Sequence, residues 1–236
     1  MAAAQSDEAR RQIVTFDFFR VMPEWRRLPE SERSHMRDEL AATIKKWSSS
    51  DDMTVLTYSS IGQRAKCDFF LWRICYSADC LQSMYSEVLR TAIAGYLVTD
   101  HSMLGTTRRS QYKVGRTQFH DVEAGVVKCG GSRYVTVFPY VKTRNWYQLP
   151  FEERQRIVRE FIGVGEDFPR ARMNTLYSFG IDDQDFIVVL ESDQLGDFVD
   201  AQMRLRETQN SAYTERVTPV FTGMRSSPEE MLERIG

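Results

Sequence analysis

Two stretches of the chain open with the same hydrophobic pattern. Ile13–Val21 (IVTFDFFRV) and residues 134–141 (YVTVFPYV) are runs of β-branched and aromatic side chains, and both read as strands. Each is followed by a Leu-Pro pair that opens a charged amphipathic helix, with proline near the first turn where its missing N–H does no harm. On the first of these helices Met36, Leu40, Ala41 and Ile44 form an apolar stripe, and on the second Ile157, Val158, Phe161 and Ile162 do the same. Two further strands follow each helix, around 54–58 and 69–74, then around 173–179 and 185–191. A second helix comes next, near 78–94 and near 194–206, and then a final short strand.

The likeness extends to individual residues. PEWRRLPESER from Pro23 and RNWYQLPFEER from Arg144 align Trp25 with Trp146, Leu28 with Leu149, Pro29 with Pro150, Glu32 with Glu153 and Arg33 with Arg154, all at one offset. Farther on, Tyr58 pairs with Tyr177, Asp68-Phe69 with Asp185-Phe186 and Leu89-Arg90 with Leu205-Arg206, at an offset that shrinks slowly as loops shorten. Such ordered self-similarity marks a duplication. The β-α-β-β-α-β order is the ferredoxin-like unit. The fold class is therefore α+β, with duplicated ferredoxin-like units. Each unit leaves one sheet face to be covered, and two in one chain cover each other as a dimeric α/β-barrel. The expected divisions are a first repeat over 13–104, a connecting segment over 105–132 rich in Gly, Arg, Lys, Thr and Gln, and a second repeat over 133–236. Ser227-Pro-Glu-Glu opens a last short helix inside the second repeat.

Composition narrows the function. Lys and Arg number 31 against 33 Asp and Glu, for a net charge of −2, which argues against a nucleic-acid surface. The N-terminus lacks the basic and apolar regions of a secretory signal, and no run approaches the roughly 18 apolar residues of a membrane span. Cys67, Cys75, Cys80 and Cys129 have no C-x-x-C or zinc-like spacing and read as reduced, packed thiols, so a soluble cytoplasmic protein is expected. His35, His101 and His120 show no metal-ligand spacing, and no metal is assigned. Neither a phosphate-binding glycine loop nor a nucleophile elbow occurs.

The stretches VFPYVKTRNWYQLPFEER, DFPRARMNTLYSFGIDDQDFIVVLES and ERVTPVFTGMR resemble the chlorite dismutase superfamily, and most of all its coproheme decarboxylase branch. FRVMPEWRRLP, CDFFLWR and EVLRTA carry the resemblance into the first repeat, so that it spans about residues 13–235. The resemblance implies haem bound by a histidine on the first helix of the second repeat. That position falls at Phe161, whose phenyl ring has no lone pair for iron. The tyrosine that the decarboxylases oxidise falls at Phe138, with Tyr140 two residues on and on the same side of the strand. The distal arginine of the chlorite dismutases falls at or beside Asn174, with Arg172 two positions away.

Lys142 matches a lysine near the porphyrin edge, and Arg206 and Ser211 match residues that meet propionates in part of the family. Without the resemblance these would be ordinary surface groups, since a basic residue closing a strand is usually solvated. Two functions follow. The first is a divergent chlorite dismutase-like protein without the parent chemistry, whose mainly apolar pocket takes a porphyrin-type or other hydrophobic anionic ligand or serves assembly. The alternative is a haem- or coprohaem-binding oxidoreductase with an axial ligand other than histidine. Family members build closed rings, most often of five subunits, so a homo-oligomer is expected, a pentamer before a dimer.

Overall fold

The computed structural model describes residues 11–112 and 126–236. The first repeat comprises β1 (Ile13–Val21), α1 (Glu30–Ser48), β2 (Met53–Arg64), β3 (Cys67–Cys75), α2 (Ala78–Arg90) and β4 (Leu97–Thr106). The second comprises β5 (Tyr134–Lys142), a short α3 (Arg144–Gln148), α4 (Phe151–Gly163), β6 (Arg172–Tyr177), β7 (Phe186–Ser192), α5 (Leu195–Glu207), α6 (Gln209–Ala212), β8 (Thr214–Arg216), β9 (Phe221–Arg225) and α7 (Pro228–Glu233). β4 takes in Gly105 and Thr106, which composition had assigned to the connection.

Hydrogen bonding runs β7-β6-β4-β1-β3-β2-β9-β5 and returns from β5 to β7, so eight antiparallel strands close a barrel; β8 hangs on the end of β5. Within the ring each repeat has the same internal order, β4-β1-β3-β2 and β9-β5-β7-β6. The seams between them are thin: Thr106 pairs with Tyr177 on one side, and Tyr58 and Ser59 pair with Arg225 and Met224 on the other. Closure removes the exposed edges that each repeat would otherwise present.

The strands are buried on both faces, and their alternation sorts side chains between two cores. On β1, Val14, Phe16 and Phe18 enter the barrel, while Phe19 and Val21 face the helices. Aromatic rings fill the barrel: Phe18 stacks on Phe221 with centroids 3.7 Å apart, and Tyr58 on Phe70 at 5.1 Å. Gly223 makes this filling possible, because a Cβ there would lie 2.5 Å from the Phe70 ring.

Outside the barrel the two repeats differ. Over the first, Leu40, Ala41 and Ile44 of α1 pack with Trp25, Met84 and Val88, and Met231, Leu232 and Ile235 from the chain's end join them. Serine 227 holds α7 in place through a capping box with Glu230, and Trp25 Nε1 donates to the Gly236 carbonyl (2.7 Å). Over the second repeat the corresponding core is smaller, built on Phe138, Met173, Val188, Leu190 and Phe198. Among the described residues no helix is long and apolar enough to cross a membrane.

Candidate functional site

Between α4 and the sheet of the second repeat, described residues line a cavity of about 650 Å³. This lies within the range of about 300–1,000 Å³ usual for small-molecule sites. A smaller chamber of about 180 Å³ adjoins it, and Tyr140, Phe161, Met173 and Val188 line both. The stripe of α4 explains the shape. Ile157 and Ile162 are buried, whereas Val158 and Phe161 are half-buried and form cavity wall.

The six residues singled out from the sequence all line one chamber or both. Phe161, Lys142 and Asn174 line the larger; Phe138, Phe161, Arg206 and Ser211 line the smaller. Their environments differ sharply. Phe138 is a buried member of the apolar core, opposite Val188 across the sheet. Arg206 is exposed and Ser211 half-buried. Asn174 Nδ2 donates to the Lys128 carbonyl (2.9 Å) and its Oδ1 accepts from the Lys128 N–H (3.3 Å), so its amide clamps the connecting segment. Met173, one residue earlier, also lines the chamber and packs in the cluster with Phe161. Arg172 also lines the larger chamber.

Lys142 is not solvated as a basic residue closing a strand usually is, with 6% of its surface exposed. Its backbone N–H donates to Asp185 Oδ2 (2.8 Å), which also accepts from the Tyr147 hydroxyl (2.7 Å); this anchors the end of β5 and turns the side chain inward. The amine sits 4.1 Å from the Trp146 ring centroid and donates to Asn210 Oδ1 and to the Asn210 carbonyl (3.3 Å). Desolvation by burial lowers its pKa to about 7, against the opposing field of Asp185.

Around Asn210 the hydrogen bonds form a loop. Asn210 Nδ2 donates to the Tyr140 oxygen (2.7 Å), and Thr214 Oγ1 donates to the Asn210 carbonyl (2.9 Å). Because the Thr214 proton is thus committed, the 2.6 Å contact between Tyr140 and Thr214 is a bond that Tyr140 donates. Burial pushes the Tyr140 hydroxyl pKa up, so it remains a phenol.

The described lining of the larger chamber contains Arg108, Lys128, Lys142, Arg170 and Arg172 and no carboxylate, histidine or cysteine, while Glu215 lines the smaller one. Arg170 is paired with Asp197 (2.7 Å), itself held by Ser192. His35 is exposed on α1, His101 lies on β4 stacked against Phe221, and His120 lies outside the described residues. Sequence reading did not find Asn210, Arg108, Lys128 or Arg170 as lining groups. The basic composition of the connection carried a signal for Arg108 and Lys128; nothing marked Asn210.

A helix-lined cavity on one half of a duplicated, closed barrel fits the comparison with known sequences. The family described as chlorite dismutase matches residues 33–226. The chain belongs to the chlorite dismutase family. A coproheme decarboxylase of Mycolicibacterium smegmatis is 28% identical over 204 residues, covering 86% of this chain and 87% of its own. A chlorite dismutase of Ideonella dechloratans is 24% identical over 209 residues, covering 86% and 72%. A variant of the chlorite dismutase from Candidatus Nitrospira defluvii superposes with a TM-score of 0.85 over 97% of this chain and 96% of that one, at 22% identity, which shows a shared fold.

Proposed function

We propose that this member of the chlorite dismutase family binds an apolar, carboxylate-bearing ligand in the α4 cavity and has lost histidine-ligated haem chemistry. The observation that carries this reading is the lining of the larger chamber: five basic side chains, no described carboxylate, and Phe161 on the helix face where the family resemblance implies a histidine. A cluster of basic side chains in a largely apolar pocket favours an anionic head on a hydrophobic body. That chemistry suits the flat body and carboxylates of a porphyrin. The donor set does not fit histidine-ligated haem, since the described lining offers iron no imidazole and no thiolate. Phe138, at the position of the oxidisable tyrosine, cannot form a tyrosyl radical, so the decarboxylase reaction is lost as well.

Parallel titrations with metal-free protoporphyrin and with ferric haem test the reading. Binding carried by carboxylate and stacking contacts gives the two similar affinities and leaves the haem spectrum without an axial-ligand signature. Much tighter haem binding with a shifted Soret band would instead establish the alternative, an oxidoreductase with an axial ligand other than histidine.

A further inference from the structure

Lys142 combines features that a merely structural lysine does not need. It lines the cavity, is almost wholly enclosed, and makes no salt bridge with any described residue. The polar partners described for its amine are the two oxygens of Asn210, flanked by the faces of Trp146 (4.1 Å) and Tyr140 (5.2 Å). An ammonium has three protons to place, whereas a neutral amine has two and a lone pair. The two Asn210 oxygens therefore accept both protons of the neutral form. The charged group acting on the amine from a distance is Asp185, which favours the charged form; Arg108, Lys128, Arg170 and Arg172 line the same cavity. The two ring faces also favour the cation, yet desolvation prevails and brings the pKa to about 7. Near neutrality a free amine is then accessible in a ligand cavity, the condition under which lysines act as nucleophiles.

We propose that Lys142 is a Schiff-base lysine, and that the cavity takes an aldehyde or ketone bearing a carboxylate whose carbonyl carbon condenses with Lys142 Nζ. This deepens the anionic-ligand reading and rests on it. The nitrogen lone pair attacks the carbonyl carbon, and one proton passes from nitrogen to the carbonyl oxygen, giving a carbinolamine. The hydroxyl then leaves with the second nitrogen proton as water while the C=N bond forms. One C=O and two N–H bonds become one C=N bond and one water, with no oxidant or reductant required. Asn210 is the positioning residue: its loop with Tyr140 and Thr214 holds both oxygens against the amine.

Reductive trapping tests the proposal. The full chain is treated with para-carboxybenzaldehyde and sodium cyanoborohydride across neutral pH, followed by intact mass and peptide mapping. The expected result is one adduct at Lys142, formed at least about tenfold faster than at any surface lysine because those stay protonated. Its rate rises through pH about 7 and then levels. Lys142→Arg removes that adduct and leaves the slower labelling of surface lysines. Asn210→Asp, nearly isosteric, puts a carboxylate beside the amine and moves the inflection to higher pH, which a purely structural asparagine would not do. Labelling of Lys142 no faster than of surface lysines, or an inflection unmoved by Asn210→Asp, overturns the proposal. para-Toluate, the same body without the aldehyde, separates the two readings by chemical-shift titration. If toluate binds but Lys142 stays unlabelled, the nucleophile fails and anion binding stands. If toluate does not bind and Lys142 stays unlabelled, both fail.

Discussion

Lys142 Nζ lies 4.1 Å from the centroid of the Trp146 ring, beneath a cavity, while the equivalent tryptophan of the first repeat, Trp25, is sealed in a core and bonded to the chain's last carbonyl. One repeated sequence feature thus serves packing in one half and holds a buried amine in the other.

The amine should leave a signature in stability against pH. Its folded pKa of about 7 lies below the value of about 10.4 expected for an unfolded lysine. Between those values the unfolded chain still holds a proton that the folded chain has released, so unfolding free energy rises with pH across that window. Below the folded value the cost of burying the charge is fully present; above the unfolded value it is gone. Thermal unfolding of the parent should therefore strengthen from neutral pH toward about pH 10 relative to Lys142→Met. Parallel pH profiles for the two proteins would contradict the burial argument.

Phe161→His restores an imidazole to the cavity wall. Ferric haem affinity should rise by at least about tenfold, equivalent to one modest coordination contribution, and the Soret band should move to that of a histidine complex. Absorbance titration reads both. Equal binding by variant and parent would mean that position 161 does not face the bound ligand.

The unequal closure of the two halves predicts unequal costs of truncation. The repeat pairs Phe161 with Leu40, which is 1% exposed in a filled core. Leu40→Ala should cost about 2–5 kcal/mol, since it leaves an unfilled space. Phe161→Ala, at a half-exposed cavity wall, should cost under about 2 kcal/mol. Urea unfolding of both variants checks the order, and a larger loss at Phe161 would show a cavity closed in solution.

Assembly is the fourth expectation. On α5, Leu195, Val199 and Met203 are 45%, 59% and 64% exposed and stand one above another at helical spacing. Closed cyclic assemblies avoid leaving such surfaces unpaired. A homo-oligomer is expected in light scattering, a pentamer before a dimer, and Val199→Glu should lower its mass. A monomer at every concentration measured would remove the assembly expectation.

The hydrophobic pattern and the repeated Trp, Leu-Pro and Glu-Arg positions were enough to determine the two units, their common strand order and a stripe on α4 that includes Phe161. These depend on local periodicity and on burial shared by both copies, which sequence records directly. The unequal fate of matched residues was decided by tertiary structure alone. Leu40 is buried because α7, arriving from the far end of the chain, completes the first layer; no described helix does the same over Phe161. Lys142 was placed near a pocket by the resemblance alone, and local pattern gave no sign of a buried amine; Asp185 anchors its backbone and Asn210, distant in sequence, receives its nitrogen. Lys128 joins Arg108, Arg170 and Arg172 at one cavity with its backbone held by Asn174 of β6, distant in sequence. Contacts between residues so far apart in the chain have no period and no fixed spacing, so only the folded molecule shows them.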